Sequence, residues 1–141
     1  MAVGNYAYAL NNNGVVAGEL DSLESDGYTV DRIGSVFTNN AWTKLATLGG
    51  SSQSAALAIN VNGVIAGYSN NLAGNMGVET PVIWTSATAV PTNLASFVPA
   101  GMYPASAGLS LRKAVGINDT GSIIVDGWIN NHQHAFLFTP K

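Results

Sequence analysis

Ala55-Ala56-Leu57-Ala58-Ile59-Asn60-Val61-Asn62-Gly63-Val64-Ile65-Ala66-Gly67 is the stretch on which the fold turns. Two short apolar runs flank Asn60-Val61-Asn62-Gly63, where Asn tolerates the left-handed region and Gly takes a positive φ without steric penalty. Apolar runs joined by such a turn predict a β-hairpin. The pattern occurs earlier as Tyr6-Ala7-Tyr8-Ala9-Leu10-Asn11-Asn12-Asn13-Gly14-Val15-Val16-Ala17-Gly18. It occurs again as Lys113-Ala114-Val115-Gly116-Ile117-Asn118-Asp119-Thr120-Gly121, followed by Ser122-Ile123-Ile124-Val125-Asp126-Gly127. The alignable turn residues are Asn11 and Gly14, Asn60 and Gly63, and Asn118 and Gly121, with the glycines 49 and 58 residues apart. Aligning Gly127 with Gly18 and Gly67 gives the third copy two extra residues after its turn, and an even insertion keeps each side chain on its face.

A second element follows each hairpin: Ser35-Val36-Phe37-Thr38, Val82-Ile83-Trp84-Thr85 and Phe136-Leu137-Phe138-Thr139. Phe37, Trp84 and Phe138 fall at equivalent places, and the alternating β-branched and aromatic residues predict a third strand in each unit. Residues 41–45 and 91–94 supply fourth strands for the first two units, whereas Pro140-Lys141 leaves the third without one. The expectation is an all-β chain of three antiparallel repeats, nominally four-stranded, forming a single domain over 1–141 with units at about 1–50, 51–107 and 108–141. Residues 20–32, 69–80 and 99–112, rich in Gly, Ser, Asn and Pro, read as connecting loops. Helical periodicity is confined to residues 93–98, too short to count.

Composition bounds the function. The chain has 141 residues, 47% hydrophobic and only 9% charged, with a net charge of −3. A typical soluble domain carries about 25% charged residues. An acidic, charge-poor chain has no basic stripe for nucleic acid and no attraction to anionic lipid. The absence of Cys excludes disulfides, thiolate zinc sites and Cys nucleophiles. Every hydrophobic stretch falls short of the ~18 residues of a spanning helix, so membrane insertion is not expected. Residues 1–6 lack the basic and apolar regions of a secretory signal, which predicts a mature, truncated or cytoplasmic form. A surface built from Asn, Ser and Thr points to the extracellular space or the cell surface.

The motifs resemble the HAF repeat family of bacterial extracellular proteins. His134-Ala135-Phe136-Leu137-Phe138-Thr139-Pro140, Leu45-Ala46-Thr47-Leu48-Gly49-Gly50 and residues 56–68 carry the resemblance, although Gly34-Ser35 and Pro81-Val82 stand where His-Ala is expected in the first two copies. The resemblance implies four-stranded β-propeller blades and no enzymatic activity of the repeat itself. Propellers close at four to eight blades, so three units leave sheet edges and apolar faces to be covered by other copies of the chain. Two copies would complete a six-bladed ring, or an open contact would grow a filament. Twelve strands in three units also fit a closed β-trefoil or β-prism, a shape common among lectins.

Candidate constellations are few. His132 and His134 would share a strand face and Asp126 could join them, but no further His or Cys completes a metal site, so none is expected. Residues 19–31 hold five of the eight carboxylates, yet an EF-hand frame on Asp26-Gly27 puts Ile33 at the bidentate position and fails. No paired carboxylates across a cleft, Gly-x-Ser-x-Gly elbow or phosphate loop with its helix is present. Tyr68 and Trp128 each follow a glycine that closes a hairpin, with Asn70, Asn71, Asn130 and Asn131 nearby. A ring beside amides would suit a neutral glycan, whereas the alternative is packing between blades or subunits. The expected function is a non-enzymatic extracellular or cell-surface protein that self-associates through β blades for adhesion or structural assembly, without a cofactor. The alternative is a small carbohydrate-binding lectin, and more distantly a glycan-active enzyme.

Overall fold

A computed structural model describes residues 2–51, 53–70 and 78–141. Within them the chain is all-β, with three antiparallel sheets and only short 3-10 turns at Leu48–Gly50, Leu94–Phe97 and Ala105–Ala107. The first sheet takes β1 (Ala2–Leu10), β2 (Val16–Leu23), β3 (Val30–Thr38) and β4 (Ala41–Lys44) in that spatial order. The second takes β5 (Ser54–Ile59), β6 (Ile65–Asn70), β7 (Glu79–Trp84) and β8 (Thr92–Asn93). The third has three strands among the described residues, β9 (Ser110–Ile117), β10 (Ile123–Ile129) and β11 (His132–Phe138), so the nominal four strands per unit hold for two sheets.

The first hairpin of each sheet is built around an asparagine. Asn60 Oδ1 accepts from the backbone N–H groups of Asn62 (3.1 Å) and Val64 (2.9 Å). Asn11 does the same for Asn13 and Val15, and Asn118 for Thr120 and Ser122. The left-handed backbone falls on Gly14, Gly63 and Gly121, with φ of 78°, 77° and 86°. The asparagines therefore serve as acceptors, and positive φ is left to the residue that has no Cβ.

Register counted from these turns is common to all three sheets. Val16 lies opposite Phe37, Ile65 opposite Trp84 and Ile123 opposite Phe138. The innermost pair of strands is interrupted by a bulge at Tyr8, Leu57 and Val115, each three residues before its turn asparagine. Gly18 and Gly67 stand opposite this bulge, where a Cβ would come within 1.8 Å and 1.9 Å of the carbonyl oxygens of Tyr6 and Ala55. In the third sheet Val125 holds that register position, and the close-approach glycine is Gly127, opposite a second bulge at Arg112. Asp126, not Trp128, is thus the positional counterpart of Glu19 and Tyr68. Trp128 corresponds to Asp21 and Asn70.

Two apolar clusters join the sheets in sequence. Ala17, Val36 and Leu45 of the first meet Ala56, Ile59, Ile65, Val82 and Trp84 of the second. Ala58, Ala66 and Leu94, on the opposite face of the second, meet Leu111, Ala114, Ile123 and Val125 of the third. The middle sheet is therefore apolar on both faces, as a doubly covered sheet must be. Trp84 is fully buried, and its indole Nε1 donates to the Ala46 carbonyl at 2.8 Å, so its one polar atom is satisfied. A polar ladder runs along the turn end of the stack. Asn11 Nδ2 donates to the Asn60 carbonyl (3.0 Å) and Asn60 Nδ2 to the Asn118 carbonyl (3.2 Å). Asn13 reaches the Val61 carbonyl, and Asp119 Oδ1 accepts from the Val61 N–H.

Several loop boundaries move from the sequence expectation. Glu19 and Asp21 lie in β2 and are buried, so the acidic stretch read as a loop is half strand. The connection itself is residues 24–29, where Asp26 Oδ1 accepts from the N–H groups of Tyr28 (2.9 Å) and Thr29 (2.8 Å).

Candidate functional site

Tyr68 and Asn70 sit on β6, in the second sheet. The Tyr68 ring is half-buried and carries the Lys113 ammonium 4.9 Å from its centroid, a cation–π contact that takes up one face of the ring. Lys113 Nζ is also 3.0 Å from Glu79 Oε1. Burial, then the Glu19 charge, pushes the Tyr68 hydroxyl above its ordinary pKa. Asn70 is tied to Gln53 by side chain and backbone, at 2.9 Å each. Asn71 lies outside the described residues.

Trp128 is on β10, 42% exposed, with Ser110 and Gln133 as its neighbours across the sheet. Beside it is a pocket of about 180 Å³ lined by Glu79, Arg112, Lys113, Asp126, Gly127 and Gln133. The Arg112 Nε is buried and finds no hydrogen-bond partner among the described residues. Asn130 and Asn131 do not line this pocket. They form the turn between β10 and β11 with φ of 51° and 61°, and the Asn130 N–H donates to the Ala107 carbonyl. Two adjacent left-handed residues are what a tight hairpin of this hand requires, and Asn39-Asn40 make the same turn between β3 and β4. The structure thus gathers Trp128 with Glu79, Arg112 and Lys113, which motif reading passed over, while Asn70 is tied to Gln53 and Asn130 and Asn131 form a turn.

A second polar group lies at the inner strands. Glu19 and Asp21 are each only 6% exposed, with Arg32 Nε 3.9 Å from Asp21 Oδ1. Burial raises the Glu19 pKa above the usual carboxylate value. Partial burial and the Glu19 carboxylate beside it push the Tyr8 phenol up to about 12. Alternation could have flagged this group, since Glu19 and Asp21 share one face of a strand whose other face carries Gly18 and Leu20.

His132 and His134 lie two apart on β11, and His134 packs at an angle against Phe136, ring centroids 6.3 Å apart. Among the described residues no three His, Asp or Glu side chains converge in a metal-binding group. A larger apolar cleft of about 490 Å³ lies beside β11, lined by Ile83, Leu94, Phe97, Ile123, Phe138 and Pro140 among others. It adjoins the edge where the first two sheets carry a fourth strand.

The outward face of the third sheet carries exposed apolar side chains. On β10 burial alternates: Ile123 and Val125 are buried, while Ile124 and Trp128 are 47% and 42% exposed. Leu137, opposite Ile124, is 67% exposed. No protein-family model, curated protein or solved structure matches the chain.

Proposed function

We propose that the chain is a non-enzymatic repeat protein of the extracellular space or cell surface, whose three units are blade-like sheets that self-associate for adhesion or structural assembly. The observation that carries this reading is the exposed pair Ile124 and Leu137. Their register counterparts, Ala17 with Val36 and Ala66 with Ile83, pack against a neighbouring sheet in both other units. A strand apolar on both faces is the pattern of a sheet covered on both sides. The HAF-type motifs, the charge-poor surface and the uncovered faces at the two ends of the stack favour an open array of blades over a closed threefold barrel. Light scattering after size exclusion tests the reading: the wild-type chain elutes above the 14.5 kDa of one copy. Ile124→Asp reduces it to that mass with an unchanged far-UV spectrum. Equal masses for the two proteins would overturn it.

A second reading rests on Trp128 at the mouth of the Arg112, Asp126 and Gln133 pocket, an exposed ring beside hydrogen-bonding groups of the kind a small lectin uses for a neutral glycan. Trp128 shares its face with Ile124, so assembly and glycan binding compete. A glycan array read with the wild type and with Trp128→Ala separates them: signal lost in the variant supports the lectin, and no wild-type signal removes it.

A further inference from the structure

Each internal junction between sheets has two sides. One side is Ala17 with Val36, then Ala66 with Ile83, and in the third sheet Ile124 with Leu137. The receiving side is Ile59, Ile65 and Trp84 in the second sheet and Ile117, Ile123 and Phe138 in the third. Its first-sheet counterparts are Leu10, Val16 and Phe37; Leu10 is 68% exposed, and Val16 and Phe37 are only half-buried. The stack therefore ends in an exposed donor pair at the third sheet and, at the first, in a receiving face that is open at Leu10 and half-open at Val16 and Phe37, with Gly18, Ile33 and Ser35 buried in its floor.

Two independent features fit these ends to each other. The first is size. At the centre of the receiving face the second sheet carries Gly67 and Val82 and the third carries Val125 and Phe136, whereas the first carries Gly18 and Ser35. The donor face runs the other way, from Ala17 and Ala66 to the larger Ile124, and from Val36 and Ile83 to Leu137. The bulkiest donor pair and the least bulky receiving pair thus stand at the two ends of one stack, so that large is offered to small.

The second feature is the asparagine ladder. Asn60 and Asn118 carbonyls each accept from the turn glycine and from the preceding asparagine Nδ2, but the Asn11 carbonyl accepts only from Gly14. At the other end Asn118 Oδ1 caps its own turn, and its Nδ2 has no partner among the described residues. One end offers a donor and the other an acceptor. A contact between two third sheets would set donor against donor.

We infer that the occupant of the third sheet's outer face is the first sheet of a second copy, docked head to tail, with Asn118 Nδ2 donating to the Asn11 carbonyl of that copy. This rests on the self-association reading and fixes its polarity: the contact is heterologous, so each copy uses two different surfaces. Lys44, on the edge strand of the receiving face, is already bonded to Ser22 Oγ at 2.6 Å and remains exposed, which leaves its charge hydrated at the rim.

The test uses two end-blocked chains, Leu137→Glu on the donor face and Leu10→Glu on the receiving face, both at exposed positions where the fold tolerates charge. Sedimentation velocity is run on each alone and on an equimolar mixture. Each alone sediments as a single copy, and the mixture gives a species of one plus one and nothing larger, because a single junction remains possible. A mixture that stays at one copy, or either blocked chain associating like the wild type, overturns the head-to-tail contact while leaving self-association standing. A wild-type chain that is itself a single copy overturns both. Asn118→Asp supplies a second readout: it keeps an Oδ1 to cap the turn and replaces the Nδ2 donor with a charged carboxylate oxygen that cannot donate. The dissociation constant of the wild-type contact rises by about twofold to tenfold or more, with the melting temperature of the single copy unchanged. An unaltered dissociation constant would remove the ladder from the contact.

Discussion

Truncating Trp84 and Phe138 to alanine in parallel compares two aromatic rings that share a register position but differ in what covers them. Trp84 is fully buried between the first and second sheets, packed against Val36, Leu45, Ile59 and Ile65 and held to the Ala46 carbonyl. Removing a buried aromatic side chain costs about 3–5 kcal/mol through lost transfer energy and the cavity left behind. Phe138 is half-buried beside an apolar cleft of about 490 Å³, so less area is lost and water already has access. Its loss is about half as large, about 2 kcal/mol. With a urea dependence of about 2 kcal/mol per molar, Trp84→Ala lowers the unfolding midpoint by about 2 M and Phe138→Ala by about 1 M. Urea titration followed by far-UV circular dichroism, in a Leu137→Glu background to exclude association, measures both. Trp84→Phe, which keeps the ring packing and loses the indole bond, serves if the alanine variant fails to fold; it loses about 1 kcal/mol. Equal losses at Trp84 and Phe138 would refute the argument, because they would mean that the fourth-strand segment contributes nothing to closing the junction.

Other outcomes follow from single positions. Gly67→Ala, whose Cβ would sit 1.9 Å from the Ala55 carbonyl, lowers the melting temperature sharply and destabilises by about 2 kcal/mol or more, whereas Gly116→Ala, with 3.7 Å to its nearest neighbour, changes it little. Asn60→Ala removes two turn bonds and the rung to Asn118 at once, and thermal melting shows a loss of about 2–3 kcal/mol. The Tyr8 phenol, raised from 10.0 to about 12, holds its proton in the folded state after the unfolded chain has lost it. Stability conferred by that proton is present below pH 10 and is lost between about pH 10 and 12, so Tyr8→Phe flattens the alkaline unfolding curve. Glu19 works in the same sense at lower pH: its raised value makes stability fall as pH rises just above 4.5, and Glu19→Gln reduces that slope in urea midpoints measured across the window.

Legibility followed the range of the interactions. The three hairpins were readable because an Asn-x-x-Gly turn and its flanking apolar runs are local, and the match of Phe37, Trp84 and Phe138 followed from alternation. The strand character of Glu19 and Asp21 was hidden because their acidity reads as loop, and only the covering sheet and Tyr8 make burial tolerable. The place of Trp128 was misread because Gly127 was aligned by identity with Gly18 and Gly67. The residue that matters to register is the bulge opposite, which has no sequence signature of its own. Asn130-Asn131 looked like ligand amides, although an adjacent pair of asparagines between two apolar strands is also a two-residue turn. The pocket of Glu79, Arg112 and Gln133 joins the second and third sheets across long sequence separations that no motif spans.

Self-association requires that the two end faces of the stack be buried in solution. Sedimentation equilibrium of the unmodified chain over a hundredfold dilution tests this most directly. The expected result is a mass that rises with concentration from one copy of 14.5 kDa to two or more. A mass of one copy at every concentration would contradict it, and would leave Ile124, Leu137 and Leu10 as apolar side chains that the molecule keeps in contact with water.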